Sequence, residues 1–92
     1  MLEGCGSIFF IGIGGITMSS FAHISHIRGY RVGGSDRTET ELTDRLAEYG
    51  IEIFYSHDAS HIEGYDAVVY TVAVSPDNPE YKAALSRGIP CI

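Results

Sequence analysis

The sequence predicts an α/β domain of three layers, a five-stranded parallel sheet flanked by helices. Three observations carry that expectation. Strand-like and helix-like stretches alternate along the whole chain, separated by short loops. The first strand candidate is a continuous apolar run, as expected of a strand covered on both faces. A length of 92 residues accommodates one core and one domain.

The elements follow in order. Ser7-Ile8-Phe9-Phe10-Ile11 is the apolar run, closed by glycines. From Gly15 to about Arg28 the pattern turns helical: Met18, Phe21, Ala22 and Ser25 share one face, widened by Ile24 and Ile27. Gly29 suits the C′ position of that helix. Tyr30–Gly34 is the second strand and leads into Ser35-Asp36. Thr38 followed three residues later by Glu41 has the spacing of a capping box, so the second helix is expected to start there. Leu42 and Leu46 give it an apolar stripe and Gly50 ends it. Ile51–Tyr55 is the third strand. The polar segment Ser56–Tyr65 reads as a loop with one helical turn, and Ala67–Thr71 as the fourth strand. Asn78 before Pro79 is an N-cap with proline at N1, opening a helix through about Arg87 that Gly88 stops. Pro90-Cys91-Ile92 reads as the start of a fifth strand, and a chain ending there reads as an excised N-terminal domain.

Composition narrows the partners. Hydrophobic residues are 45% and charged residues 20% of the chain, a globular balance. Six basic against twelve acidic residues give a formal charge of −6, which argues against nucleic acid or an anionic membrane as partner, since both need a basic face. Cys5 and Cys91 form no CxxC pair, which suits a reducing cytoplasm. The apolar run Ile8–Ile13 is too short to span a bilayer and no leader pattern precedes it.

The chemistry concentrates after the first strand. Gly12-Ile13-Gly14-Gly15-Ile16-Thr17-Met18-Ser19 lies at a strand-to-helix junction, where backbone N–H groups and the helix dipole suit a phosphate. The match to G-x-G-x-x-G is incomplete, with Thr17 at the third glycine, and a plain βα turn is the alternative. Ser35-Asp36, about twenty residues on, stands where an acidic residue meets a ribose hydroxyl; an N-cap or loop anchor is its other reading. One mononucleotide-sized half favours a mononucleotide or nucleotide sugar over a dinucleotide. His57 follows the third strand at the ligand-binding edge, with a solvated loop histidine as its other reading. His57, Asp58 and His61 are too few to make a metal site. Thr71-Val72-Ala73-Val74-Ser75 follows the fourth strand, where its backbone is placed to wall the same pocket; a plain βα loop is its other reading. There is no G-x-x-x-x-G-K-[ST] loop, Lys82 is the lone lysine, and no catalytic set is evident. Glu39, Glu41, Asp44 and Glu48 read as a solvated helix face. On these residues alone, half of an NAD(P)-dependent dehydrogenase and a non-enzymatic nucleotide-sensing module both stay open.

Phe10–Ser19, Gly34-Ser35-Asp36, Glu41-Leu42-Thr43 with Leu46, Asp77-Asn78-Pro79-Glu80 and Arg87-Gly88-Ile89-Pro90, in that order, resemble the N-terminal domain of the Mur ligases of peptidoglycan synthesis. The resemblance spans about Ser7 to Ile92 and is strongest to the branch that adds L-alanine to UDP-N-acetylmuramate; the branch recycling murein tripeptide is the runner-up. It implies a Rossmann-like domain, residues 1–92, holding the UDP part of UDP-N-acetylmuramate. It implies that N–H groups from Gly14 to Ser19 meet the diphosphate, with Asp36 near the uridine and His57 and Thr71–Ala73 lining that pocket. ATP and Mg²⁺, on a central domain, and L-alanine, on a C-terminal one, are implied for the full-length enzyme, which forms an acyl phosphate and then an amide; the 92 residues are expected to bind and not to catalyse. Thr17 and Ser20 depart from the family's Gly-Ile-Gly-Gly-x-Gly-Met-Ser-Gly, a difference bearing on the phosphate cradle and on helix packing.

Overall fold

A computed structural model describes residues 6–92; Cys5 lies outside them. Four parallel strands form one sheet: β1 (Ser7–Ile11), β2 (Arg31–Ser35), β3 (Glu52–Phe54) and β4 (Ala67–Val69), in the order β3-β2-β1-β4. Between them run α1 (Ile16–Ile27), α2 (Glu41–Glu48) and a 3-10 turn (Ala59–Ile62), and α3 (Pro79–Ser86) follows β4.

β1 is the hub because it is apolar on both faces, and every one of its residues is buried. Alternation splits it between two cores. Ile8 and Phe10 pack with Ile13, Met18, Ala22, Val32, Leu46 and Ile51 beneath α1 and α2. Phe9 and Ile11 pack with Ile62, Tyr65, Val68, Ala83 and Ala84 beneath the 3-10 turn and α3. The three layers are therefore those expected.

The sheet has four strands rather than five. Cys91 makes one isolated parallel bridge to Val68. It is held by Val68 N–H to Pro90 C=O (2.9 Å), Ile92 N–H to Val68 C=O (2.9 Å) and Tyr70 N–H to Ile92 C=O (3.1 Å). Pro90 has no N–H with which to extend the ladder.

Helix boundaries hold within a residue or two, with two corrections. The N-cap of α2 is Thr40, not Thr38: its hydroxyl accepts from Thr43 N–H (3.3 Å) while Thr43 Oγ1 accepts from Thr40 N–H (2.8 Å). Threonine at N3 thus closes the box that Glu41 was expected to close. On α1 the buried face is Met18, Ser19, Ala22 and Ser25, whereas Ile24 and Ile27 are exposed, Ile27 by 69%. The helix meets the sheet along a narrow stripe, and small serines fill it. Asn78 caps α3 as expected, its Oδ1 accepting from Glu80 and Tyr81 N–H at 2.9 and 3.1 Å.

Candidate functional site

The chain runs outward from β1 through β2 to β3, then returns to place β4 on the other side of β1. Where a parallel sheet reverses direction in this way, the loops leaving the strands' carboxyl ends diverge and open a crevice. A cleft of about 660 Å³ lies there, within the size range of small-molecule sites. It is walled by the loop after β1 (Gly12, Gly15, Met18), the end of β2 (Asp36, Arg37), His57 after β3, and, after β4, Thr71, Ala73, Val74, Ser75 and Asp77–Pro79.

The glycine loop is built by close approach. Gly12 turns the chain at φ +82°, and its N–H and that of Ile13 both donate to Ser35 C=O (2.8 and 3.0 Å). Gly14 N–H donates to Asp36 Oδ2 (2.8 Å), and a Cβ on Gly14 would lie 2.8 Å from that oxygen. Asp36 Oδ1 also accepts from Thr38 N–H (3.2 Å). Asp36 therefore braces the loop as well as lining the cleft.

Gly15 sits at the N-cap of α1 and has no side chain to cap it. The first-turn N–H groups of Ile16, Thr17 and Met18 have no acceptor within an α-helix, and Gly15 and Met18 bring that turn to the cleft. This is the anion-favouring end of the helix dipole. Gly15 N–H donates to Gly12 C=O (3.2 Å) and Ser19 N–H to Gly15 C=O (2.7 Å). Of the N–H groups expected to face a phosphate, those of Gly14, Gly15 and Ser19 are thus already engaged.

The other expected residues separate by position. Gly12, Gly15, Met18, Asp36, His57, Thr71 and Ala73 wall the cleft. Ile13 is buried in the core, and Ser19 is buried with its hydroxyl on Ile16 C=O (3.0 Å). Ile16 and Thr17 are exposed at the helix start, and Val72 is fully exposed, outside the cleft. Because Thr17 is exposed, its side chain does not press between helix and sheet. Ser20 is exposed too, its hydroxyl on Ile16 C=O (3.1 Å).

Ser35 and His57 belong to a cluster that sequence reasoning missed. Glu80, fully buried at the start of α3, accepts from Ser35 Oγ (2.6 Å) and contacts His57 Nδ1 and His61 Nδ1, each at 2.7 Å. In sequence, Asn78-Pro79-Glu80 marked the helix start and part of the family resemblance, with no sign of a partner for the Glu80 carboxylate. Arg37 was also missed; its adjacency to Ser35-Asp36 was the signal available. No group of three or more His, Cys, Asp or Glu suited to a metal ion occurs among the described residues.

Comparison with known proteins extends these findings. A family model described as "Mur ligase family, catalytic domain" matches residues 7–92. The chain is 52% identical over 85 residues to UDP-N-acetylmuramate--L-alanine ligase of Methylibium petroleiphilum, covering 92% of this chain and 18% of that protein. The crystal structure of UDP-N-acetylmuramate-alanine ligase from Thermotoga maritima matches with TM-score 0.89 at 42% identity, over 92% of this chain and 20% of that one. UDP-N-acetylmuramate:L-alanyl-gamma-D-glutamyl-meso-diaminopimelate ligase from Neisseria meningitides matches with TM-score 0.86 at 27% identity, over 97% of this chain and 28% of that one. The chain spans about a fifth of the length of the curated relatives it matches.

Proposed function

The chain belongs to the Mur ligase family, and from that membership we propose that it is the N-terminal, UDP-binding part of a cytoplasmic ligase that joins L-alanine to UDP-N-acetylmuramate. The observation that carries the reading is the uncapped start of α1 opening onto the switch-point cleft beside Asp36, Arg37 and His57. A diphosphate there meets the N–H groups of Ile16, Thr17 and Met18 and the positive end of the helix. Arg37 adds a cation in a chain whose formal charge is −6. The uridine extends toward Asp36, His57 and the Thr71–Ala73 loop.

The L-alanine branch is preferred because the chain is 52% and 42% identical to two of its members, against 27% for the tripeptide-linked relative. For the NAD(P)-dependent dehydrogenase alternative, likeness to a "Putative NAD-dependent epimerase/dehydratase" of Bacillus halodurans at 21% identity speaks to the fold alone.

ATP and Mg²⁺ do not fit the residues in hand. The one lysine, Lys82, is exposed on α3 and belongs to no phosphate loop. The role of this chain is to seat the UDP handle so that the rest of the substrate reaches machinery elsewhere in a longer protein. Peptidoglycan synthesis, and through it cell shape and division, is the process served.

An NMR titration of the chain with UDP-N-acetylmuramate, UDP and NAD tests the reading. Shifts at 12–19 and Asp36 with both UDP ligands and none with NAD are expected; a preference for NAD overturns it.

A further inference from the structure

Glu80 has no part in the UDP reading so far, yet its carboxylate is fully buried and gathers three polar groups from three different segments. Ser35 closes β2, His57 follows β3, and His61 lies in the 3-10 turn. An ionised carboxylate only accepts hydrogen bonds. For this carboxylate to hold a charge away from water, all three groups must donate to it. Each imidazole must then carry its proton on Nδ1. That is the tautomer a free neutral histidine favours less in water, so it has to be imposed.

The two rings are held differently. His61 takes Oε2 and stacks on Phe54, with ring centroids 3.8 Å apart and planes 9° from parallel. It is not among the residues walling the cleft. His57 takes Oε1 and walls the cleft. With Nδ1 committed to Glu80, the polar atom His57 has left for a ligand is Nε2. His61 anchors the second carboxylate oxygen, so Glu80 cannot rotate away from His57 without breaking that bond.

We propose that Glu80 is a positioning residue that locks His57 as the Nδ1–H tautomer, leaving Nε2 as a hydrogen-bond acceptor for an N–H or O–H donor in the cleft. For its ligand the inference rests on the UDP reading, where the donors available are the imide N–H of uracil and the ribose hydroxyls.

The tautomers are read directly by long-range ¹H–¹⁵N NMR on the labelled chain at mildly alkaline pH. Nδ1-protonated signatures are expected for both His57 and His61. A Nε2-protonated His57 in the unliganded chain overturns the proposal whatever the chain binds. Glu80→Gln offers one acceptor and one donor, so at least one ring must change tautomer; two unchanged rings overturn it as well. His57→Asn keeps a donor near the Nδ1 position and removes the Nε2 acceptor. It is expected to melt like the parent and to bind UDP about tenfold more weakly, the loss of one ligand hydrogen bond.

The same titrations with N3-methyl-UDP and 2′-deoxy-UDP identify the donor. The analogue whose penalty vanishes in the His57→Asn background lacks the group that His57 receives. If neither penalty changes, Nε2 is not the acceptor and the proposal falls. If the parent chain binds no UDP while both tautomers are as expected, the UDP reading fails and the hold of Glu80 on His57 stands.

Discussion

Gly14→Ala separates a loop that is merely glycine-rich from one built for close approach. The new Cβ would lie 2.8 Å from Asp36 Oδ2, 3.0 Å from Thr43 Cγ2 and 3.2 Å from Asp36 Cγ. Thr43 is fully buried and tied into the capping box of α2, so it has little room to yield. Asp36 is a half-buried side chain and gives way first, losing the 2.8 Å bond from Gly14 N–H. A hydrogen bond to a charged group contributes about 1.5–3 kcal/mol, and partial exposure of Asp36 places this one near the lower figure. For a domain of this size the loss lowers Tm by roughly 6–12 °C. UDP binding falls with it, because the same carboxylate braces the loop and walls the cleft. Gly15→Ala is the control: its Cβ meets nothing closer than Gly12 O at 3.6 Å, at a φ of −64° that any residue adopts. It should change stability by less than about 1 kcal/mol while weakening UDP binding, since Gly15 walls the cleft. Circular dichroism melts and UDP titrations read both variants. Gly14→Ala with the parent's Tm and UDP affinity would refute the bracing role of Asp36.

Three further outcomes are expected. Asn78→Ala removes the cap on Glu80 and Tyr81 N–H and costs about 1 kcal/mol, seen as a Tm lower by roughly 4–8 °C; an unchanged melt contradicts it. Tyr65→Phe is expected to raise Tm, because the Tyr65 hydroxyl is the one buried side-chain polar atom among the described residues with no hydrogen-bond partner; a lower Tm would show that the hydroxyl is satisfied in solution. Asp66 accepts from Gly6 N–H, the Ser7 hydroxyl and Ser7 N–H, which hold its carboxyl below the usual carboxylate range. Its contribution is therefore present above the unfolded value of about 3.9 and is lost as pH falls through the lower folded value. Asp66→Asn should melt lower at neutral pH and show a flatter decline on acidification, in melts recorded from neutral to strongly acid pH.

The parts of the fold that sequence reveals are those written in adjacent residues. The two-faced run of β1, the glycines after it and the Asn78-Pro79 start of α3 need no distant partner to be recognised. Where the outcome depends on distant packing, local pattern misleads. Ile24 and Ile27 look like core on a helical wheel, but α1 meets the sheet along Met18, Ala22 and Ser25 and leaves both in solvent. The capping box moved two residues because the chain leaving β2 is pinned first by Asp36, and becomes helical only after Thr40. In the cleft, Asp36 and His57 were legible from strand-end spacing. Glu80 was not: its partners lie 45, 23 and 19 residues away, and an acidic residue in a first helical turn ordinarily needs no explanation beyond the dipole.

The strand order has a consequence for how the chain behaves among its own copies. An exposed sheet edge is a template onto which another chain can add a strand. At the β4 side the backbone groups of Val68 and Tyr70 that a newcomer would need are taken up by Pro90–Ile92 in three bonds. At the other side the terminal strand is β3, only three residues long and carrying the exposed carboxylate of Glu52. Shortness and charge there discourage growth of the sheet, so the most apolar strand, β1, stays two places in from one border and one from the other. Within residues 6–92, β4 is thus covered by a neighbouring segment and β3 is kept short and charged, so both flanks of the sheet shield β1.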